Sequence, residues 1–274
     1  MNGIKKHKYH IGIALSGGGA LGYAHIGVLQ ALEEYNICPN IISGSSMGSL
    51  IGLFYASGYS SKQIYDIIKR EKLDAISNII APSLKESKLG LSTQKRVLNI
   101  IKKYIKYNSF ETLRIPFCVA VSNLSTGNIE YWHKGTELHS AVLASTAIPG
   151  VFNAVTIDDM IYVDGGLLNN FPVQPIRNQC KYVIGVNVKA ETVFDNPKNV
   201  KDILFRALQL VVVNNSQEGE ALCDVLICPD NKHLNDFSFR SFEKIYQSGY
   251  NSTKKYFEEN PNMINSLLNG QLIS

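Results

Sequence analysis

Ser46 stands in Gly44-Ser45-Ser46-Met47-Gly48, a G-x-S-x-G pattern. A serine in this setting sits on a sharp strand-to-helix turn, presented for attack on an acyl carbon, and the glycines remove the Cβ atoms that would clash in so tight a reversal. The flanks agree: Ile41-Ile42-Ser43 is a short apolar run, and Ser49 to Ala56 reads as a buried helix. Glycine and serine are common, so the pentapeptide alone has little weight and the other parts of acyl transfer must be found. One is a cradle for the oxyanion. Gly17-Gly18-Gly19-Ala20-Leu21-Gly22 follows an apolar strand and opens a helix, where backbone N–H groups can stabilise negative charge. The same stretch satisfies G-x-G-x-x-G, but a dinucleotide site needs an acidic residue about 20 positions on. There is none between Glu34 and Asp66, and no Gly-Lys-Ser or Gly-Lys-Thr follows to make a phosphate loop, so no nucleotide cofactor is expected.

The serine also needs a base. Asp164 ends an apolar strand in Tyr162-Val163-Asp164-Gly165-Gly166, where two glycines allow close backbone approach. A carboxylate in a water-poor pocket can take the serine proton. Asp158 and Asp159 read instead as solvated turn residues of a hairpin. Among the histidines, His7, His10, His133 and His139 have no catalytic setting, and His25 within the first helix is explained by packing or a capping contact. His233 is different, because Ser46, Asp164 and His233 reproduce the Ser…Asp…His chain order of α/β-hydrolases. It lies in a polar loop, Pro229-Asp230-Asn231-Lys232-His233, where simple exposure is the ordinary reading. The early elbow, after only the second strand, also departs from that fold.

Together these segments resemble the patatin-like phospholipases, in particular bacterial-type patatin-like acyl hydrolases. Ser16 to Gly22 is similar to that family's oxyanion loop, Gly44 to Gly48 to its nucleophile elbow, and Asp164-Gly165-Gly166 to its Asp-Gly-Gly box. Ala144 to Phe152 resembles its proline-bearing block, and the likeness covers residues 10–190. The resemblance implies a three-layer α/β/α sandwich with a mainly parallel sheet, related to cytosolic phospholipase A2. It implies hydrolysis of lipid esters, in the manner of a phospholipase A, lysophospholipase or lipase, by a Ser46–Asp164 dyad without a metal or cofactor. Gly17, Gly18 and Gly19 would hold the oxyanion, with Gly44, Gly48, Gly165 and Gly166 supporting the two turns. One position departs from the family pattern: Leu21 stands where Arg or Lys is usual, which leaves the oxyanion to backbone dipoles. A non-catalytic scaffold or regulatory protein of the same fold is the alternative of another class.

These residues must be held by a folded body. The pattern predicts strands over 10–15, 41–42, 115–121, 128–132, 160–163, 182–188 and 224–227, and helices over 20–35, 49–56, 62–70, 93–106, 136–147, 200–217 and 242–257. Alternation of the two implies a mainly parallel sheet covered on both faces. Residues 77–92 read as a connection, with a lid over the site as the functional version. The 93–106 helix has Val97, Leu98, Ile101, Tyr104 and Ile105 on one face and Lys95, Asn99, Lys102, Lys103 and Lys106 on the other. It suits a surface helix over the core, and also peripheral contact with anionic lipid. With 274 residues, 45% hydrophobic and 18% charged, one patatin-like domain over 1–274 is expected, its core over 10–190 and its C-terminal strand and helices over 191–274. Five scattered cysteines suit free thiols in a reducing, cytoplasmic setting rather than disulfides or zinc. A net charge of +4 calls for no nucleic-acid partner, and no apolar run reaches the roughly 20 residues of a membrane span.

Overall fold

The computed structural model describes residues 7–73, 87–188, 200–231, 234 and 239–269. Its centre is a sheet whose middle strand, β1 (Tyr9–Leu15), is buried from Ile11 onward. On one side β1 pairs in parallel with β2 (Ile41–Gly44), and β2 pairs in parallel with β3 (Phe117–Asn123). On the other side β1 pairs in parallel with β7 (Cys180–Val186), and β7 with β8 (Val225–Ile227). The antiparallel strands gather around β3: β4 (Asn128–Trp132), and a hairpin of β5 (Val155–Ile157) and β6 (Met160–Asp164). The turn of that hairpin holds Asp158 and Asp159 at φ 47° and 61°, the left-handed pair that tight hairpins favour.

Helices cover both faces, giving three layers. Ile11, Ile13 and Leu15 of β1 enter the larger core, with α1 (Ala24–Glu34), α2 (Met47–Ala56), α3 (Ser61–Arg70), α4 (Ser87–Tyr104) and α5 (Leu138–Ser145). The alternate residue Ala14 faces a second cluster containing Phe171, Val173 and Ile176, where α6 (Gln174–Arg177) packs. This is the two-sided burial that parallel strands require. Two further helices, α8 (Phe242–Glu259) and α9 (Pro261–Leu268), follow α7 (Val200–Ala221) and β8. α1 and α8 cross closely through their glycines: a Cβ on Gly27 would lie 2.0 Å from the Tyr246 carbonyl oxygen. No helix among the described residues is long and apolar enough to cross a membrane.

Several expectations change. The helix expected from residue 20 begins as a 3-10 turn, Gly19–Tyr23, before α1, because Gly19 takes φ 49° and the Leu21 amide bonds to the Gly18 carbonyl. α4 starts at Ser87, so the connection read over 77–92 is helical in its last part, and residues 74–86 lie outside the described residues. From Lys95 to its end at Tyr104, two residues short of the expected 106, α4 is amphipathic, with Ile101 buried and Lys95, Lys102 and Lys103 exposed; just beyond it Ile105 is buried and Lys106 exposed. None of the five cysteines is joined in a disulfide.

Candidate active site

Ser46 Oγ donates to Asp164 Oδ2 at 2.6 Å, although 118 positions separate the two residues. Strand pairing explains the meeting. Val119 of β3 lies opposite Gly44 on one side and Trp132 on the other, while Val121 lies opposite Asp164 and Glu130. With β4 occupying one edge of β3 at both positions, β2 and β6 share the other edge and run towards each other end to end. Their last residues, Gly44 and Asp164, sit at next-but-one positions of β3, roughly 7 Å apart along it. Ser46, two residues past the end of β2, is thereby brought to face Asp164 at the end of β6.

The turn after β2 is strained. Ser46 adopts φ 51° and ψ −127°, a conformation that costs a non-glycine residue about 1–3 kcal/mol. The surroundings hold it there: Ser46 N–H donates to Ser145 Oγ at 2.9 Å, and Ser46 C=O accepts from the Ser49 amide and hydroxyl. Gly48 is required by contact, since a Cβ there would lie 2.3 Å from the Leu15 carbonyl oxygen. Gly44 in turn packs against Gly48. The acid side is built in the same way. A Cβ on Gly165 would lie 2.3 Å from the Ala120 carbonyl oxygen, so only glycine lets the chain turn down against β3 after Asp164. Gly166 donates its amide to Asp164 Oδ1 at 2.7 Å. The carboxylate is thus aimed by a backbone amide at one oxygen and meets the Ser46 hydroxyl at the other. Ser46 is 6% and Asp164 5% exposed, so the pair sits in a cleft with little water.

The glycine loop leaves the end of β1 beside them, and a Cβ on Gly17 would come within 3.0 Å of Ser46 Cβ. Gly17, Gly18 and Gly19 all line the cavity that holds Ser46 and Asp164. Their amides are not equivalent. Gly17 N–H is taken by the Asn170 carbonyl at 2.9 Å, which fastens the loop to the strap after the Asp164 turn. Among the described residues the Gly18 and Gly19 amides find no acceptor, as is usual where a helical turn begins. Of the three glycines expected to face an oxyanion, the geometry therefore leaves Gly18 and Gly19 free to donate. Leu21, 1% exposed, is an apolar wall of the cavity.

His25 lies below the loop, fully buried, with Nε2 against the Ser16 carbonyl at 2.8 Å. Burial drives its pKa down to about 4, against the opposing pull of the Ser16 hydrogen bond. It is therefore a neutral strut at pH 7, in line with the packing role expected of it. His233 lies outside the described residues. Sequence reasoning missed Ser145 and Asn170. Asn170 donates its backbone amide to Asn215 Oδ1 at 2.9 Å and its Nδ2 to Ser216 Oγ, tying the site to α7. The rest of the cavity wall is mainly apolar, drawn from Ile148, Leu167 and the inward face of α7 at Phe205, Leu208 and Val212, with Gln209 as its polar member.

The hydrogen-bonded Ser46 and Asp164, with the Gly18 and Gly19 amides beside them, lie at the carboxyl ends of neighbouring strands, where open α/β sheets bind ligands. The comparisons agree on the class. Residues 13–176 match the family described as Patatin-like phospholipase, and the chain belongs to that family. An uncharacterized NTE family protein of Mycobacterium tuberculosis is 34% identical over 166 residues, 61% of this chain and 45% of that protein. Lysophospholipase NTE1 of Scheffersomyces stipitis is 25% identical over 281 residues, 90% of this chain and 18% of that protein. The chain thus spans less than half the length of these relatives. Among solved structures, VipD from Legionella pneumophila shares the fold with a TM-score of 0.55 at 16% identity, over 92% of this chain and 67% of that one.

Proposed function

We propose that the protein is a serine acyl-ester hydrolase acting on lipid esters, with Ser46 as nucleophile and Asp164 as base. The observation that carries this reading is the direct 2.6 Å Ser46–Asp164 hydrogen bond at the floor of an apolar cleft. A contact that short leaves no space for an imidazole between the two, which favours a dyad over a triad completed by His233. Ser46 Oγ attacks the ester carbonyl while Asp164 takes its proton. The tetrahedral oxyanion is met by the Gly18 and Gly19 amides, each such donor contributing about 3–4 kcal/mol to the transition state. The leaving alcohol takes the proton from Asp164 as the acyl–oxygen bond breaks. Asp164 then draws a proton from water, whose oxygen attacks the acyl-serine, and the fatty acid leaves with Ser46 restored.

Family membership supports a lipid ester as substrate, and so does the lysophospholipase name of a relative. The cleft supports it chemically, because apolar walls at Leu21, Ile148, Phe205 and Val212 suit an acyl chain more than a polar acid. Phospholipids, lysophospholipids and glycerides all present that chain. Turnover of a soluble short-chain ester by Asp164→Asn and Ser46→Ala tests the roles. General-base loss lowers kcat by about 10²–10⁴-fold with KM little changed. Wild-type kcat in folded Asp164→Asn would remove the dyad, and full activity in His233→Ala is the companion result expected.

A further inference from the structure

The helix α7 is apolar on two sides at once. Its exposed stripe runs Val200, Ile203, Leu204, Ala207, Leu210, Val211, then Asn214, Gln217 and Glu218. The large apolar members of that stripe are 43–71% exposed. The opposite side of the same turns, at Phe205, Leu208, Val212 and Val213, lines the cavity above Ser46. A surface helix ordinarily turns its apolar stripe to the core and its polar residues to water, and contiguous exposed apolar surface marks an interaction site. Only the C-terminal half of α7 follows the ordinary rule. Asn215 Nδ2 donates to the Gly166 and Leu167 carbonyls at 3.0 and 3.2 Å, and Gly219 packs on Phe171. The stripe becomes polar where this anchoring begins.

We infer that the exposed stripe from Val200 to Val211 docks the protein on a lipid surface, with α7 forming the wall between that surface and the catalytic cavity. This rests on the lipid-ester reading of the site. The occupant follows from continuity: whatever covers the stripe lies one helix thickness from the cavity, and the wall that an acyl chain leaving a lipid aggregate meets on the way to Ser46 is mainly apolar, at Phe205, Leu208, Val212 and Val213, with Gln209 as the polar member that α7 contributes. Docking removes from water the apolar path that the chain must take. The end of the stripe at Asn214 sets the depth, since the following turns carry Gln217 and Glu218 and stay in water.

The test uses full-length protein carrying Ser46→Ala, so that binding is read without turnover, and vesicles of phosphatidylcholine with or without phosphatidylglycerol. Ile203→Glu/Leu204→Glu is expected to lower the vesicle partition coefficient by at least about tenfold, as loss of two inserted aliphatic side chains requires. Asn214→Glu, on the polar part of the stripe, should leave it unchanged. In otherwise active protein the double variant should hydrolyse a soluble monomeric ester at the wild-type rate and vesicle lipid much more slowly. Equal partitioning of the double variant and the parent overturns the inference, as does failure of the parent to bind either vesicle. A dimer in solution that the double variant dissociates assigns the stripe to a second copy of the chain and also overturns it. If vesicles bind as expected but no ester is hydrolysed, docking stands and the hydrolase reading fails.

Discussion

Ser145→Ala probes how Ser46 is held. Ser145 is fully buried, and its Oγ accepts the Ser46 amide at 2.9 Å, at a residue whose φ of 51° needs support. Alanine leaves that amide buried without an acceptor, at about 1–3 kcal/mol. Two consequences are separable. The global stability should fall by that amount, read as a shift of the denaturant midpoint at constant m-value. The active site should lose more than stability alone implies, because relaxation of Ser46 away from Asp164 by about 1 Å can cost 10²-fold in rate. kcat on a soluble ester, measured well below the unfolding midpoint, is therefore expected to drop at least about tenfold with KM nearly constant. Ser145→Thr, which keeps the acceptor oxygen, should recover most of the lost rate. A folded Ser145→Ala enzyme with wild-type kcat would refute the view that this contact positions Ser46 and leave Ser145 a purely structural residue.

Other outcomes follow from the same geometry. His25 has a pKa of about 4 in the folded protein against the ordinary 6.5, so the unfolded chain takes up the proton first as pH falls. Stability should be unaffected by this group above pH 6.5 and should drop by up to about 3 kcal/mol between 6.5 and 4. Chemical denaturation across that window should show a shallower slope in His25→Gln, and an identical slope would exclude His25 as the source. Leu21→Arg places a cation in a wall now filled by a buried leucine. It should raise turnover on a soluble ester if charge near the oxyanion is limiting, at some cost in Tm. Unchanged turnover in folded protein would remove the electrostatic reasoning about this position.

Much of the site was legible because its chemistry is written in local signals. A glycine-bounded serine after Ile41-Ile42, and an aspartate closing Tyr162-Val163 before two glycines, each announce a turn at a strand end. What joins them is not local. The end-to-end approach of β2 and β6 depends on both pairing with one edge of β3, and no periodicity reveals which strands share an edge. The roles of the three glycines were unequal for a similar reason, since Gly17 spends its amide on Asn170, far along the chain. Ser145 could have been suspected, because it stands in the Ala-Ser-Thr-Ala-Ile-Pro segment that already resembled a family block. The small elements were lost to shortness: β5 has three residues and α6 four. α9 did carry a signal, Asn260 before Pro261, the usual opening of a helix. The run from Ile203 to Val213 reads as helix from its sequence, but a helix apolar on two sides does not say which side meets the cavity until the fold is seen.

The most direct measurement is covalent labelling of the native protein by a fluorophosphonate, followed by mapping of the modified residue. Phosphonylation is expected at Ser46 alone. It should be lost in Ser46→Ala and slowed by about 10²–10⁴-fold in Asp164→Asn, because the probe needs the same activated oxygen as an ester. A folded protein that remains unlabelled, or that labels at Ser46 equally fast with asparagine at position 164, would contradict a Ser46 nucleophile activated by Asp164.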